Sequence, residues 1–108
     1  VGGQALYAWL YPNFMINRYG EVMDTNWVIP LGPDRCRVVM DYYVPQEQAA
    51  TWSIPESSHQ VQEEDVQICE AVQKGLKSKA YDQGRYSVKR EAAALAFHQL
   101  LAQDLLDP

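Results

Sequence analysis

Asp65 is the residue whose type and position disagree. It lies in a segment, Ser58 to Lys79, whose apolar residues recur at helical spacing. On a wheel turned by about 100° per residue, Val61, Ile68, Val72 and Leu76 form one stripe with Cys69 beside it, and Glu63, Glu70, Lys74 and Lys77 fall opposite. Asp65 lands in the middle of the apolar stripe. A carboxylate there is expected to face the rest of the fold, and a buried charge without a partner costs several kcal/mol. Three kinds of partner would satisfy it: a basic side chain, with Arg18, Arg35 and Arg37 as candidates; a set of backbone or hydroxyl donors; or a metal ion. Composition does not choose among them.

Other chemistry-bearing residues are sparse. Cys36 and Cys69 form no C-x-x-C and no paired framework, so they read as reduced, small, buried residues. His59 and His98 show no ligand spacing and read as surface or packing residues. The aromatics are unusual in kind, with 3 Trp and 7 Tyr against 2 Phe. Tyrosine and tryptophan faces can hold a ligand cation, although a Tyr7/Trp9 stripe at strand spacing is also what a packed core uses.

A chain of 108 residues, 47% apolar, suits one domain with a modest core. Its net charge of -5 leaves no positive excess to neutralise a phosphate backbone, which argues against a nucleic-acid partner. No apolar run approaches the ~20 residues that span a bilayer, so no membrane partner is expected. The opening Val1-Gly2-Gly3, without Met and followed almost at once by a strand pattern, suggests a piece of a longer protein.

The elements that must position these residues come in two kinds. Gln4 to Tyr11 alternates Leu6, Ala8 and Leu10 with Tyr7, Trp9 and Tyr11, a strand with two apolar faces, both expected to be covered. Pro12-Asn13 interrupts it, Phe14-Met15-Ile16 resumes it, and Arg18-Tyr19-Gly20 closes it with a turn. After a polar Asp24-Thr25-Asn26, the segment from Trp27 to Leu31 and that from Cys36 to Val44 read as a hairpin about Gly32-Pro33-Asp34-Arg35. Pro30 places its strand at an edge or a bulge. The second half turns helical: Ser58 to Lys79, with Ser57 and Gln60 as a capping box, then Arg90 to Leu106. Strands first and helices last indicate an α+β fold with an antiparallel sheet.

Two stretches carry a resemblance. Tyr7 to Asp24, containing Tyr-Pro-Asn-Phe-Met-Ile-Asn-Arg-Tyr-Gly, and Gln62 to Tyr86, containing Glu-Asp-Val-Gln-Ile-Cys-Glu-Ala-Val-Gln-Lys-Gly-Leu and Tyr-Asp-Gln-Gly-Arg-Tyr, resemble the C-terminal part of the catalytic domain of Rieske-type non-haem iron oxygenases, and most of all the choline monooxygenase group. The resemblance implies that residues 1–108 are a single-domain fragment, the last part of a helix-grip (Bet v1-like) catalytic domain in which antiparallel strands precede a long helix and a C-terminal helix. It implies that Asp65 is the carboxylate of a 2-His-1-carboxylate Fe(II) site. The two histidine ligands and the domain holding a [2Fe-2S] cluster would lie upstream, because His59 and His98 do not match them. Such a piece alone would be inactive.

By the same resemblance Tyr7, Trp9 and Asn17 line the substrate pocket, where a quaternary ammonium substrate would meet aromatic faces. The implied partners are a small-molecule substrate, dioxygen and a reductase or ferredoxin donor. The full-length protein would be a homo-oligomer, a trimer, in the cytoplasm or, in a plant, the plastid stroma. The competing reading is a non-enzymatic ligand-binding domain of helix-grip type, in which Asp65 is a hydrogen-bonded pocket residue and no metal binds. An upstream H-x-x-x-x-H segment would separate the two.

Overall fold

A computed structural model describes residues 5–106. The elements run β1 (Ala5–Leu10), β2 (Phe14–Tyr19), β3 (Val22–Gly32), β4 (Arg35–Tyr43), α1 (Glu56–Gly75) and α2 (Ala92–Leu106). The strands form one sheet in the order β1-β2-β3-β4, antiparallel throughout. The fold is α+β, with strands first and helices last. The chain divides into two compact units, one built from the sheet and the segment from Gly84 onward, the other from Val44–Gln83.

Three tight connections set the register. Leu10 pairs with Phe14 across the three-residue Tyr11-Pro12-Asn13 loop, so the first apolar run is two strands. Asn13 clasps that loop to β3: its side-chain amide donates to the Val28 carbonyl at 2.7 Å, and the Val28 amide donates to its carbonyl at 3.0 Å. The Pro-Asn pair therefore ends one strand and extends the pairing of the next. Tyr19 pairs with Val22 about a two-residue loop that opens with Gly20 at φ +62°, a conformation glycine adopts without strain. The Arg18 guanidinium donates to the Gly20 carbonyl at 3.0 Å and steadies the same turn. The third hairpin closes Gly32 on Arg35, as its Gly-Pro-Asp sequence predicts, and the register slips between Pro30 and Gly32. Pro30 sits at an irregularity of the ladder, where its missing N–H costs least.

The polar run Asp24-Thr25-Asn26 departs from the expected layout. It is no break between strands but the middle of β3, and each of its three residues is only 7% exposed. From Met23 to Trp27 β3 pairs with β2 on one side and β4 on the other, so this stretch is laddered on both sides and its side chains are crowded from both directions. Among the described residues no apolar side chain is buried, which corrects three expectations. There is no closed apolar core; the faces of β1 are open, with Leu6, Tyr7 and Leu10 all exposed; and Cys36 and Cys69 are both exposed free thiols. A single four-stranded sheet presents two broad faces, and apolar side chains on both are left partly or fully exposed.

α1 starts at Glu56, two residues earlier than expected, and its N-cap is Pro55 with no side-chain capping bond, so the Ser57/Gln60 box does not form. The Pro55 carbonyl instead accepts from the amides of Ser58 and His59, and Glu56 puts an anion in the first turn. The helix ends at Gly75, short of Lys79. Gly75 has a poor helix propensity, and Lys77 and Ser78 bond three residues back in tightened turns. α2 is joined to the sheet by rings. Phe97 lies 5.6 Å from Trp9 and 6.2 Å from Tyr11 between centroids, and the Tyr11 hydroxyl donates to Asp104 at 2.5 Å.

Candidate functional site

Paired residues in a sheet share a face, and the register places Tyr7, Asn17, Asp24 and Tyr42 in one row across all four strands. The next row on the same face is Trp9, Met15, Asn26 and Met40. All three pocket candidates, Tyr7, Trp9 and Asn17, thus stand on one side of the sheet. Asp24 is the residue among them that sequence reasoning missed. Its Oδ1 accepts from the Asn17 side-chain amide at 2.9 Å and from the Asn26 side-chain amide at 2.7 Å. The signal was available: Asn17 and Asp24 are symmetric about the Gly20-Glu21 loop, so a hairpin there brings them opposite each other.

Electrostatics on this face centre on that carboxylate. Two neutral amides hold it, and among the described residues no Lys, Arg or His forms an ion pair with it. The Tyr19 hydroxyl, hydrogen-bonded to Tyr7, is pushed up to about 12 by that bond, by burial and by the charges of its neighbours, Asp24 included. Tyr7 and Tyr19 also meet edge to face at 5.7 Å. Trp9 is held differently. Its ring makes edge contacts with both Tyr11 and Phe97, so it belongs to the cluster that seats α2. Tyr7 is 66% exposed, and its ring has the freer surface.

Asp65 is placed on α1 on the same stripe as Val61, Ile68 and Val72, as the spacing predicts. It is exposed, and so are those three apolar residues, so the whole stripe is uncovered within its unit. Within that unit Asp65 makes no hydrogen bond or ion pair among the described residues, while its neighbours do: Gln60 donates to Glu64 at 3.0 Å and His59 lies 3.4 Å from Glu63. A shallow recess lined by His59, Gln62, Glu63, Val66 and Gln67 runs along a different side of the helix and does not include Asp65. His98 packs against Phe97 with the two rings tilted by 51° and is hydrogen-bonded to Tyr86. Among the described residues no three His, Cys, Asp or Glu side chains come together as metal ligands. No described helix is long and apolar enough to cross a membrane.

Comparison with known proteins adds a family. The model of the ring hydroxylating alpha subunit (catalytic domain) matches residues 2–106. The chain is similar to the chloroplastic choline monooxygenases of Arabidopsis thaliana (51% identical), Atriplex hortensis (43%) and Beta vulgaris (38%), each over 97% of this chain. It spans about a quarter of their length, 26%, 25% and 24% respectively. No solved structure matches it.

Proposed function

Because the chain belongs to the ring hydroxylating alpha subunit (catalytic domain) family, we propose that it is the C-terminal part of the catalytic domain of a Rieske-type non-haem iron monooxygenase that hydroxylates a small quaternary ammonium compound such as choline. The observation that carries this reading is the similarity to choline monooxygenases along nearly the whole chain, from the aromatic strand to α2. The sheet supports it, since Tyr7 and Trp9 share a face with a buried carboxylate, a combination suited to an organic cation.

In this reading Tyr7, Trp9 and Asn17 line the substrate pocket. Asp65 would contribute one carboxylate to an iron site whose two imidazoles, like the [2Fe-2S] cluster, would come from the remainder of the full-length protein. An iron ion held there would supply the activation of dioxygen, with a ferredoxin or reductase as the implied electron donor. This chain's own contribution is narrower: to offer the carboxylate from the open stripe of α1, and to hold the substrate's cationic end against the sheet. The remainder of the catalytic domain covers the open faces of the sheet and α1, the full-length protein assembles as a trimer, and its compartment is the plastid stroma, as the names of the relatives suggest.

The test is turnover by the full-length protein supplied with ferredoxin, its reductase and choline. Dioxygen consumption matched by hydroxylated choline supports the reading. Reduction of the cluster with no hydroxylated product from choline would sink it, and an upstream sequence with no pair of histidine ligands would favour a metal-free binding domain instead.

A further inference from the structure

A carboxylate buried on a sheet face is expected to have a cation beside it or a full set of donors. Asp24 is 7% exposed, and the neutral side-chain amides of Asn17 and Asn26 both donate to its Oδ1. Neutral amides lower the cost of burying the charge without cancelling it. The negative charge therefore remains in the field of this face, where it contributes to holding the Tyr19 hydroxyl protonated. Tyr7 stands in the same row two strands away, about 10 Å at the usual strand spacing, with the short Asn17 side chain between them turned onto Asp24.

From this arrangement we infer that Asp24 is the anionic half of a cation-binding site on the sheet, in which a quaternary ammonium group sits over Asn17 with the Tyr7 ring on one side and the Asp24 carboxylate on the other. The inference rests on the substrate class proposed above and adds a specificity residue to it. A tetraalkylated nitrogen has no N–H to donate, so it is recognised by ring faces and by charge at a distance, not by a hydrogen-bonded ion pair. Asn17 and Asn26 suit that task, because they fix the carboxylate without spending its charge on a protein cation.

The test uses the full-length protein and three probes: choline, its neutral analogue with a tert-butyl group in place of trimethylammonium, and the tetramethylammonium ion. In Asp24→Asn the affinities for choline and tetramethylammonium should fall on the order of tenfold or more while that for the neutral analogue holds. Iron content and melting temperature confirm that the variant is folded. An equal loss for all three probes, or no loss for the cations, would overturn the inference. Should Asp24→Asn not fold, Met40→Lys provides a second route. Met40 lies opposite Asn26 and diagonal to Asp24, so a lysine there can place an ammonium beside the carboxylate and compete with the ligand. It should weaken both cations selectively, and unchanged cation binding in a folded Met40→Lys protein would overturn the inference too. Failure of the wider reading looks different: wild type would not hydroxylate choline, although tetramethylammonium would still bind in an Asp24-dependent way. Choline turned over by wild type and Asp24→Asn with the same KM would leave the substrate class standing and remove Asp24 from its recognition.

Discussion

Asn17 and Asp24 stand directly opposite each other across the β2–β3 ladder, and the Asn17 amide donates to Asp24 Oδ1 at 2.9 Å. The Asn26 amide reaches the same oxygen from two residues along β3. A buried carboxylate is thereby tied to both strands of one hairpin, which makes it a structural element as well as a chemical one.

Removing either donor should destabilise the full-length protein. Asn17→Ala or Asn26→Ala takes one charge-assisted bond from a buried acceptor, at a cost of about 1.5–3 kcal/mol each. Because both bonds end on one atom, the double variant should not equal the sum of the singles. Denaturant unfolding of the three variants checks this, and strict additivity would show that the two amides act independently.

Tyr7 and Trp9, alike in sequence, should respond differently to replacement by leucine. Tyr7→Leu removes an exposed ring whose edge contact and hydroxyl bond are both with Tyr19, so choline affinity should fall by the equivalent of about 0.5–2 kcal/mol and stability by about 0.5–1.5 kcal/mol, the share of that one neighbour. Trp9→Leu also removes the edge contacts to Tyr11 and Phe97, so it should lower stability by about 0.5–1.5 kcal/mol for each lost ring pair. Calorimetric titration with choline and a thermal melt separate the two effects. Equal choline affinity in wild type and Tyr7→Leu would leave the ring without a role in binding.

For Asp65 the expected result is loss of iron. Asp65→Ala in the full-length protein removes the proposed anionic ligand, so iron occupancy and turnover should collapse while the [2Fe-2S] absorbance persists. The fold should survive, since alanine suits a stripe shared with Val61, Ile68 and Val72 and, among the described residues, the side-chain bonds of α1 run between other residues. Full iron content in a destabilised variant would end the ligand assignment and point to a salt bridge.

The Tyr19 hydroxyl gives a pH signature. Its ordinary value is 10.0 and its folded value about 12, because the Tyr7 hydrogen bond, burial and nearby charge favour the neutral form. The folded state holds this proton more tightly than the unfolded state, so the stabilisation is fully present below pH 10.0 and is lost as pH rises through about 12. Tyr19→Phe should abolish that share of the alkaline loss. Phenolate absorbance should likewise lack its latest-rising component, and identical titrations of wild type and variant would contradict the assignment.

Local spacing in the sequence determined the α+β order, the hairpin about Gly32-Pro33-Asp34-Arg35 and the stripe that carries Asp65 on α1. These follow from periods of two and of about 3.6 residues and from turn residues, which act over a few neighbours. The same reading treated Asp24-Thr25-Asn26 as a connection, because three polar residues in succession break the alternation on which strand assignment depends. Tertiary structure decided otherwise: the glycine-led turn at Gly20 folds β3 back on β2, sets Asp24 against Asn17, and places the polar run between two neighbouring strands, where Asn17 and Asn26 both bond Asp24. It also decided that Trp9 serves the α2 cluster while Tyr7 keeps a free ring surface, although the two alternate identically along one strand. Burial and side-chain partnership depend on which element arrives alongside, and Phe97 lies far from Trp9 in the chain. Spacing along one segment therefore carries no information about that meeting.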